Sequence, residues 1–408
     1  MTLLFQILLL IFYLYLAFAT VYLLVFAFSG LFSIPHSKVQ VKKKRKMAVL
    51  IPGYKEDNVI LEVARQALKQ EYGKEYYDVI IIADGFQKTT IQKLRELDVI
   101  VFEVELEFST KSRALNAALN RLDDRYDVGV ILDADNLMAP DFLDKINEAF
   151  CKKYIAVQGH RIAKNVDTAF AILDAVSEEM NNHIFRKGHR ILGLSSALIG
   201  SAMAFDYNYL KVTMQEVEVV GGFDKELEIR LLSKNKKVEY VPDAYVFDEK
   251  VPNAKVFTKQ RRRWLGAQIH YFGKSFIPSL KMLFRQGNID YFNKALQFIL
   301  PPRIMLITAS FLMAIVSLIF NLYPGFYLWF SVFVLGLLVF FLSIPGYFYN
   351  LRTLWALSRL PLGIVMIFLS LFRMRGKKEY LHTKHTYNAF QIKHPLRKPP
   401  KRKSEAKN

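Results

Sequence analysis

Two aspartates separated by one alanine, Asp133-Ala134-Asp135, follow a short apolar run, Val128 to Leu132. Carboxylates spaced in this way at a strand end can both face one cleft when the chain turns there. Their hard oxygens suit Mg2+ or Mn2+. Such ions keep several waters and bridge to phosphates, so a diphosphate-bearing substrate is the natural partner. Lys111, opening a helical segment, offers a cation, and the helix N-terminus adds its own positive potential. Two more strand ends bring polar groups to the same edge: Pro52-Gly53-Tyr54-Lys55-Glu56-Asp57 and Asp84-Gly85. Asp and Gly favour turns on their own account, but three acidic strand ends together point to a ligand site. No Walker loop and no Gly-x-Gly-x-x-Gly follows the first strand, which weakens ATPase and dehydrogenase readings.

These residues need a scaffold that delivers them to one edge. Between Met47 and about residue 250, short β-rich runs alternate with helical segments, the pattern of an α/β fold with a mostly parallel sheet. Strands are expected at Met47 to Pro52, Val79 to Ala83, Val99 to Val104 and Val128 to Leu132, with crossover helices over 58–70, 89–97 and 111–122. In such sheets ligands bind beyond the carboxyl ends of the strands. Gln158-Gly159-His160-Arg161 ends a further strand and is expected to border the same pocket, with a lone His160 reading as a hydrogen-bonded structural residue.

Apolar segments flank this block. Residues 2 to 32 are long enough to cross a hydrocarbon core of roughly 30 Å, and they lack the early Lys or Arg of a cleaved signal. Residues 1–35 are therefore expected to form an N-terminal transmembrane helix. The cluster Lys42-Lys43-Lys44-Arg45-Lys46 then places the following domain in the cytoplasm. Further spans are expected at 300–322 and 326–348, broken at Asn321-Leu322-Tyr323-Pro324-Gly325. Residues 352–373 carry Arg359 and Pro361, and an even number of spans after the domain puts them in the membrane interface. Residues 266–298 read as an amphipathic interfacial segment, and 376–408 as a basic, disordered, cytoplasmic tail. The protein is thus expected to be a multi-pass protein of the cell membrane. Its net charge of +19 sits largely beside apolar segments, so anionic lipid headgroups rather than nucleic acid are the expected partners. Cys151 is the only cysteine, which leaves no internal disulfide or thiolate cluster.

The succession Ile51-Pro52-Gly53-Tyr54-Lys55-Glu56, Ala83-Asp84-Gly85, Lys111-Ser112-Arg113-Ala114-Leu115-Asn116, Asp133-Ala134-Asp135, Gly221-Gly222-Phe223 and Gln260-Arg261-Arg262-Arg263-Trp264 resembles a family 2 membrane glycosyltransferase. The resemblance is to the group containing cellulose, chitin and hyaluronan synthases, and runs in order from about residue 47 to 270. It implies a GT-A, Rossmann-like mixed sheet with helices on both faces over 47–265, flanked by transmembrane and interfacial helices. It also implies a nucleotide-sugar donor, usually a UDP-sugar, and inverting transfer to a growing β-linked polysaccharide. So few spans would need a homo-oligomer or a secretion partner to pass a polymer. Carried over by motif, Tyr54 and Glu56 would meet the nucleoside, Asp84 the base, and Lys111 and Arg263 the diphosphate. Asp133 would hold the nucleotide and Asp135 the metal. Gln260 and Trp264 would meet the acceptor, whose entrance Gly200-Ser201-Ala202-Met203-Ala204-Phe205 would line.

Counting back from Arg230-Leu231, the family's general base corresponds to Asp224. The sequence departs from the pattern here, because Phe223 stands where the family has Glu. Glu226 is the second candidate and Glu228 is close by. Asp224 could instead serve only to complement a helix dipole. Transfer of one sugar to a lipid acceptor, and a non-catalytic nucleotide-binding membrane protein, are the competing readings.

Overall fold

A computed structural model of the chain describes residues 3–34, 43–152, 154–217, 221–250 and 253–361. Lys42, the stretch 362–373 and the tail 376–408, with the expectations attached to them, lie outside the described residues.

After α1 (Leu3–Ser29) the chain enters the sheet with β1 (Met47–Tyr54), α2 (Ile60–Ala67), β2 (Tyr77–Asp84), α3 (Lys88–Arg95), β3 (Ile100–Val104), α4 (Lys111–Leu119) and β4 (Val128–Ile131). These are the four strands and three crossover helices expected from the apolar runs. β1 is Met-Ala-Val-Leu-Ile-Pro-Gly-Tyr, buried at every position but the last. A strand covered by helices on both faces must be apolar throughout. Pro52 would be misplaced inside a central ladder. It lies two residues beyond the last pair with β4, Leu50↔Ile131, where that side of β1 has opened into the cleft.

The rest of the sheet is mixed. β5 (Leu137–Met138) leads to α5 (Phe142–Phe150), β6 (Ala156–Ala163) and α6 (Ala169–Asn181). A π-helical turn, Asn182–Gly188, and the short α7 (His189–Ile191) precede β7 (Met203–Asp206), α8 (Tyr207–Gln215), α9 (Phe223–Ser233) and β8 (Val238–Asp248). The strand order is β3-β2-β1-β4-β7-β6-β8-β5. β7 is antiparallel to both β4 and β6, and β6 is parallel to β8. Two reversals restore the direction, so β1, β2, β4, β6 and β8 all end on one edge, and β7 begins there.

Each face of the sheet carries its own core. One buries Ile60, Val63, Phe142 and Ile146 against Val49, Ile51 and Val130. The other buries Leu115, Leu119, Leu210 and Leu227 against Leu50, Ile131 and Phe205.

Beyond the sheet run α10 (Ala254–Gln286), α11 (Ile289–Ile299), α12 (Arg303–Phe320), α13 (Phe326–Ser343) and α14 (Leu351–Leu357). The helix α10 is continuous through residue 265 and ends at Gly287, whose φ of +65° forms the left-handed cap. Three helices, α1, α12 and α13, are long and apolar enough to cross a membrane. Small residues Ala19, Ser310, Ala314, Ser317 and Gly336 let them approach closely. Trp329 fills the seam, fully buried and with its ring centre 5.3 Å from that of Tyr13 and 5.8 Å from that of Phe12.

The spans and the sheet meet at the π-helical turn. Ser29 Oγ donates to the Gly188 carbonyl at 3.0 Å, and His183 Nε2 lies 2.8 Å from the Ala27 carbonyl. A Cβ at Gly188 would stand 2.2 Å from the Phe26 carbonyl oxygen, a backbone atom that cannot turn aside. Gly188→Val is therefore expected to prise α1 from the domain and cost about 1–3 kcal/mol. Thermal unfolding of the detergent-solubilised protein measures this.

Candidate active site

The polar edge is assembled by the strand ends. Tyr54 and Asp84 terminate β1 and β2, and Asp133 and Asp135 follow β4. Asp248 terminates β8 and faces them. Asp133, Asp135 and Asp248 each bring one carboxylate oxygen within 4.8 Å of the others. Asp135 and Asp248 are buried and Asp133 is half-buried. Three oxygens converging from two strand ends match the donor set that Mg2+ or Mn2+ takes. The third ligand position was missed in the sequence, although Asp248 ends a strand just as Asp84 does.

The groups around the triad hold it in place. Asp135 Oδ2 accepts from the Glu249 backbone N–H at 2.9 Å, and Asn136 Nδ2 donates to Asp135 Oδ1 at 3.3 Å and to Asp248 Oδ1 at 3.1 Å. Arg161 Nη1 stands 3.6 Å from Asp133 Oδ2 and 3.5 Å from Asp248 Oδ1. Lys250 Nζ, fully buried, pairs with Asp248 Oδ2 at 2.7 Å, and Glu178 of α6 pairs with both Lys250 and Arg161. Burial works against the Lys250 ammonium, but Asp248 and Glu178 outweigh it and raise its pKa. Asp248→Ala should weaken Mn2+ binding by at least about 10–100-fold, the loss typical of outer groups alone. Titration of Mn2+ followed by electron paramagnetic resonance reads it.

Lys111 enters from α4. Thr110 caps that helix by accepting from the Arg113 N–H at 3.2 Å, which sets Lys111 in the first turn. Its Nζ meets Asp133 Oδ1 at 2.5 Å and the Gly200 carbonyl at 2.7 Å. The same ammonium lies 5.3 Å from the centre of the Phe223 ring, so Phe223, unusual against the resembling pattern, packs in the core beneath a cation. Next to it, Asp224 lies beside Gly200: a Cβ there would be 3.8 Å from Asp224 Cγ. Gly200 has φ +85°, a conformation glycine adopts without strain.

The other acids of α9 are committed elsewhere. Glu226 is buried between Arg230 Nε at 2.9 Å and Lys274 Nζ at 2.7 Å, tying α9 to α10. Glu228 is buried against Lys294 Nζ at 2.9 Å and the Leu198 N–H at 3.2 Å.

At the ends of β1 and β2, burial pushes the Asp84 carboxyl up, opposed by a Ser109 hydrogen bond and Lys55. Lys55 Nζ lies 5.1 Å from the centre of the Tyr54 ring, and Glu56 is buried with its carbonyl accepting the Ile60 N–H.

In α10, Gln260 and Trp264 are half-buried and Arg263 is exposed. Gln260 Oε1 is enclosed without a hydrogen-bond partner among the described residues. Arg261 makes the anchored contact, donating to Asp174 Oδ1 of α6 at 2.8 Å, with its guanidinium 4.7 Å from the Trp264 ring centre. From α10, Arg261 is linked toward the aspartate triad through α6, whose Asp174 holds it and whose Glu178 holds Arg161.

His160 is held by the Pro242 carbonyl at 2.8 Å and Glu179 at 3.0 Å. Burial opposes its charge, but Glu179 outweighs burial and raises the pKa above its usual value of 6.5. The protonated pair therefore stabilises the fold fully below that usual value, and the benefit fades as pH rises through the raised one. His160→Asn should destabilise the protein at pH near 6 more than near 9, by thermal unfolding at ~pH 6 and ~pH 9.

Residues 44–267 match the family described as "Glycosyltransferase like family 2", more than half of the chain. The chain is a family 2 glycosyltransferase. Over 256 residues it is 23% identical to the probable glycosyltransferase YdaM of Bacillus subtilis (strain 168), a match covering 57% of this glycosyltransferase and 57% of that protein. Its fold is similar to that of the mannosyltransferase PcManGT from Pyrobaculum calidifontis, solved with GDP-Man and Mn2+. The TM-score is 0.52 at 16% identity, covering 85% of this chain and 97% of that one. Glucosyl-3-phosphoglycerate synthase from Mycobacterium tuberculosis, solved with Mn2+, UDP and phosphoglyceric acid, matches at TM-score 0.39 and 16% identity. That match covers 57% of this chain and 85% of that one. The glycosyltransferase thus has an α/β GT-A-like fold with an acidic triad able to hold a metal ion, and three helices suited to a membrane.

Proposed function

We propose that this glycosyltransferase is an inverting membrane enzyme that moves a hexose from a nucleotide diphosphate sugar to a hydroxyl of a membrane-held acceptor. The observation that carries the reading is the convergence of Asp133, Asp135 and Asp248 beside Lys111, with Asp224 across Gly200. Mn2+ or Mg2+ bound by the triad would supply positive charge to the departing diphosphate. Lys111 adds a cation on the same side. Tyr54, Glu56 and Asp84 frame the nucleoside at the ends of β1 and β2. Asp224 accepts the acceptor hydroxyl's proton, since Glu226 is already neutralised by two cations. Gln260 and Trp264 offer the acceptor a polar and an aromatic surface, and Arg263 is free to turn toward the diphosphate. The donor nucleotide is uridine in the resembling synthases, whereas PcManGT was solved with GDP-Man, so both classes belong in a donor screen.

Two acceptors fit. A growing β-linked polysaccharide would need a passage. The seam of α1, α12 and α13 is instead filled by Trp329, Leu16, Leu23, Leu306, Val332 and Val339. That packing favours single transfer onto a lipid-linked acceptor, with the domain and the C-terminus on the cytoplasmic side. Purified enzyme given UDP- and GDP-sugars with Mn2+ or Mg2+ should release nucleotide; no release from any donor refutes the transferase reading. Product mass then separates one hexose on a lipid from a polymer ladder.

A further inference from the structure

The first residue of α12, Arg303, is a cation without a carboxylate partner among the described residues. It is partly buried against α6, where Nη1 donates to Asn181 Oδ1 at 2.8 Å and Nη2 to the Ser177 carbonyl at 3.1 Å. Both partners are neutral. The charged group that acts on it is another cation, Arg261, and no carboxylate pairs with it among the described residues. Arg261 and Arg303 both donate to Ser177 Oγ, at 3.2 and 3.5 Å, so two guanidiniums converge on one hydroxyl. Asp174 neutralises one of them. Arg303 thus has only neutral partners among the described residues, at the point where a helix long and apolar enough to span a membrane begins. A partly buried cation in that position favours a bound anion.

The surroundings say what kind of anion. Arg303 also lines a crevice no larger than a water molecule, with Thr20, Leu23, Leu306, Gly336, Val339 and Phe340. Apart from Arg303 and Thr20 its lining is apolar. On the other side, Arg261 stacks on Trp264, and one turn along α6 Glu178 holds Arg161 and Lys250 beside the aspartate triad. A charged head at Arg303 would thus lie at the end of the apolar surface of α12, with the stacked Arg261 and Trp264 on its other side. Planar guanidiniums in a fork match the oxygens of a phosphate.

We propose that Arg303 and Arg261 bind the phosphate of a phosphate-bearing lipid, whose chain lies along α12 and α13 and whose attached saccharide presents the acceptor hydroxyl. This rests on the lipid-acceptor reading above and names its headgroup. The phosphate is recognised and does not react.

The test is binding by the full-length protein in zwitterionic nanodiscs, read by tryptophan fluorescence, with farnesyl phosphate, farnesol and inorganic phosphate as probes. Farnesyl phosphate should bind roughly 10–100-fold more tightly than farnesol, as expected for a charge-assisted hydrogen-bonded pair. Arg303→Gln should erase that preference and leave farnesol binding unchanged. Arg303→Lys, which keeps the charge and loses the fork, should retain part of it. Equal binding of the phosphate and the alcohol, or a preference that survives Arg303→Gln, overturns the proposal. So does displacement by inorganic phosphate at concentrations comparable to those of the lipid, which would mark a site for the free anion. Neither donor nor metal enters the assay, so a protein that binds farnesyl phosphate yet releases no nucleotide refutes the transferase reading alone.

Discussion

Asp135→Ala is expected to lower nucleotide release by about 10³-fold, the scale set by removing one preorganised group that stabilises transition-state charge. Asp135 is 2% exposed, and both of its oxygens are already oriented, one by the Glu249 N–H and one by Asn136. Truncation to Ala removes a ligand and leaves those donors aimed at empty space. Asp135→Asn keeps the shape and loses the charge, so it should be as inactive and better folded. Steady-state nucleotide release, with circular dichroism to verify the fold, makes the measurement. Activity within a few-fold of wild type would remove the triad from the reaction.

The second large effect is expected at Asp224. Asp224→Asn should reduce kcat by roughly 10²–10⁴-fold, the usual share of a general base, with little change in KM for the donor. Glu226→Gln is the informative control. Glu226 sits between Arg230 and Lys274, and its loss leaves two cations facing a neutral amide at the α9–α10 junction. The expected result is lower stability, by about 1–3 kcal/mol, with kcat reduced far less. If Glu226→Gln lost activity while Asp224→Asn kept it, the base would be Glu226. Asp224 is not simply the next acid in line: paired among the described residues only with the neighbouring Lys225 at 3.5 Å in α9, it borders Gly200, whose carbonyl Lys111 reaches.

Much of this was legible before any coordinates. Apolar runs of five or six residues, each ended by a turn or an acid, located β1 to β4 and with them Tyr54, Asp84, Asp133 and Asp135. Burial on both faces leaves that signature in the sequence. β8 was harder, because its pattern is interrupted: the register with β6 shifts between Gly159 and His160, and Pro242 falls inside the strand. Asp248 was therefore not counted as a strand end. Arg161 stands in a run expected to border the pocket, but what it and Lys250 pair with is not legible in the sequence. Their meaning depends on Glu178, 17 and 72 residues away, and on α6 crossing beneath β6 and β8. The arginine run of α10 shows what helical rotation adds to a linear motif. Helical geometry turns Arg261 inward to Asp174 and leaves Arg263 exposed, and neither sequence order nor composition fixes that rotation.

The reversal at β7 divides the sheet into two halves of different allegiance. β3-β2-β1-β4 carries Tyr54 and Asp84 at its strand ends, whereas β6 and β8, through α6, are tied to α10 and α12. Asp133 and Asp135 belong to the first half and Asp248 to the second. An ion seated among them would act as a clasp between the two halves, making metal uptake and cohesion of the domain a single event.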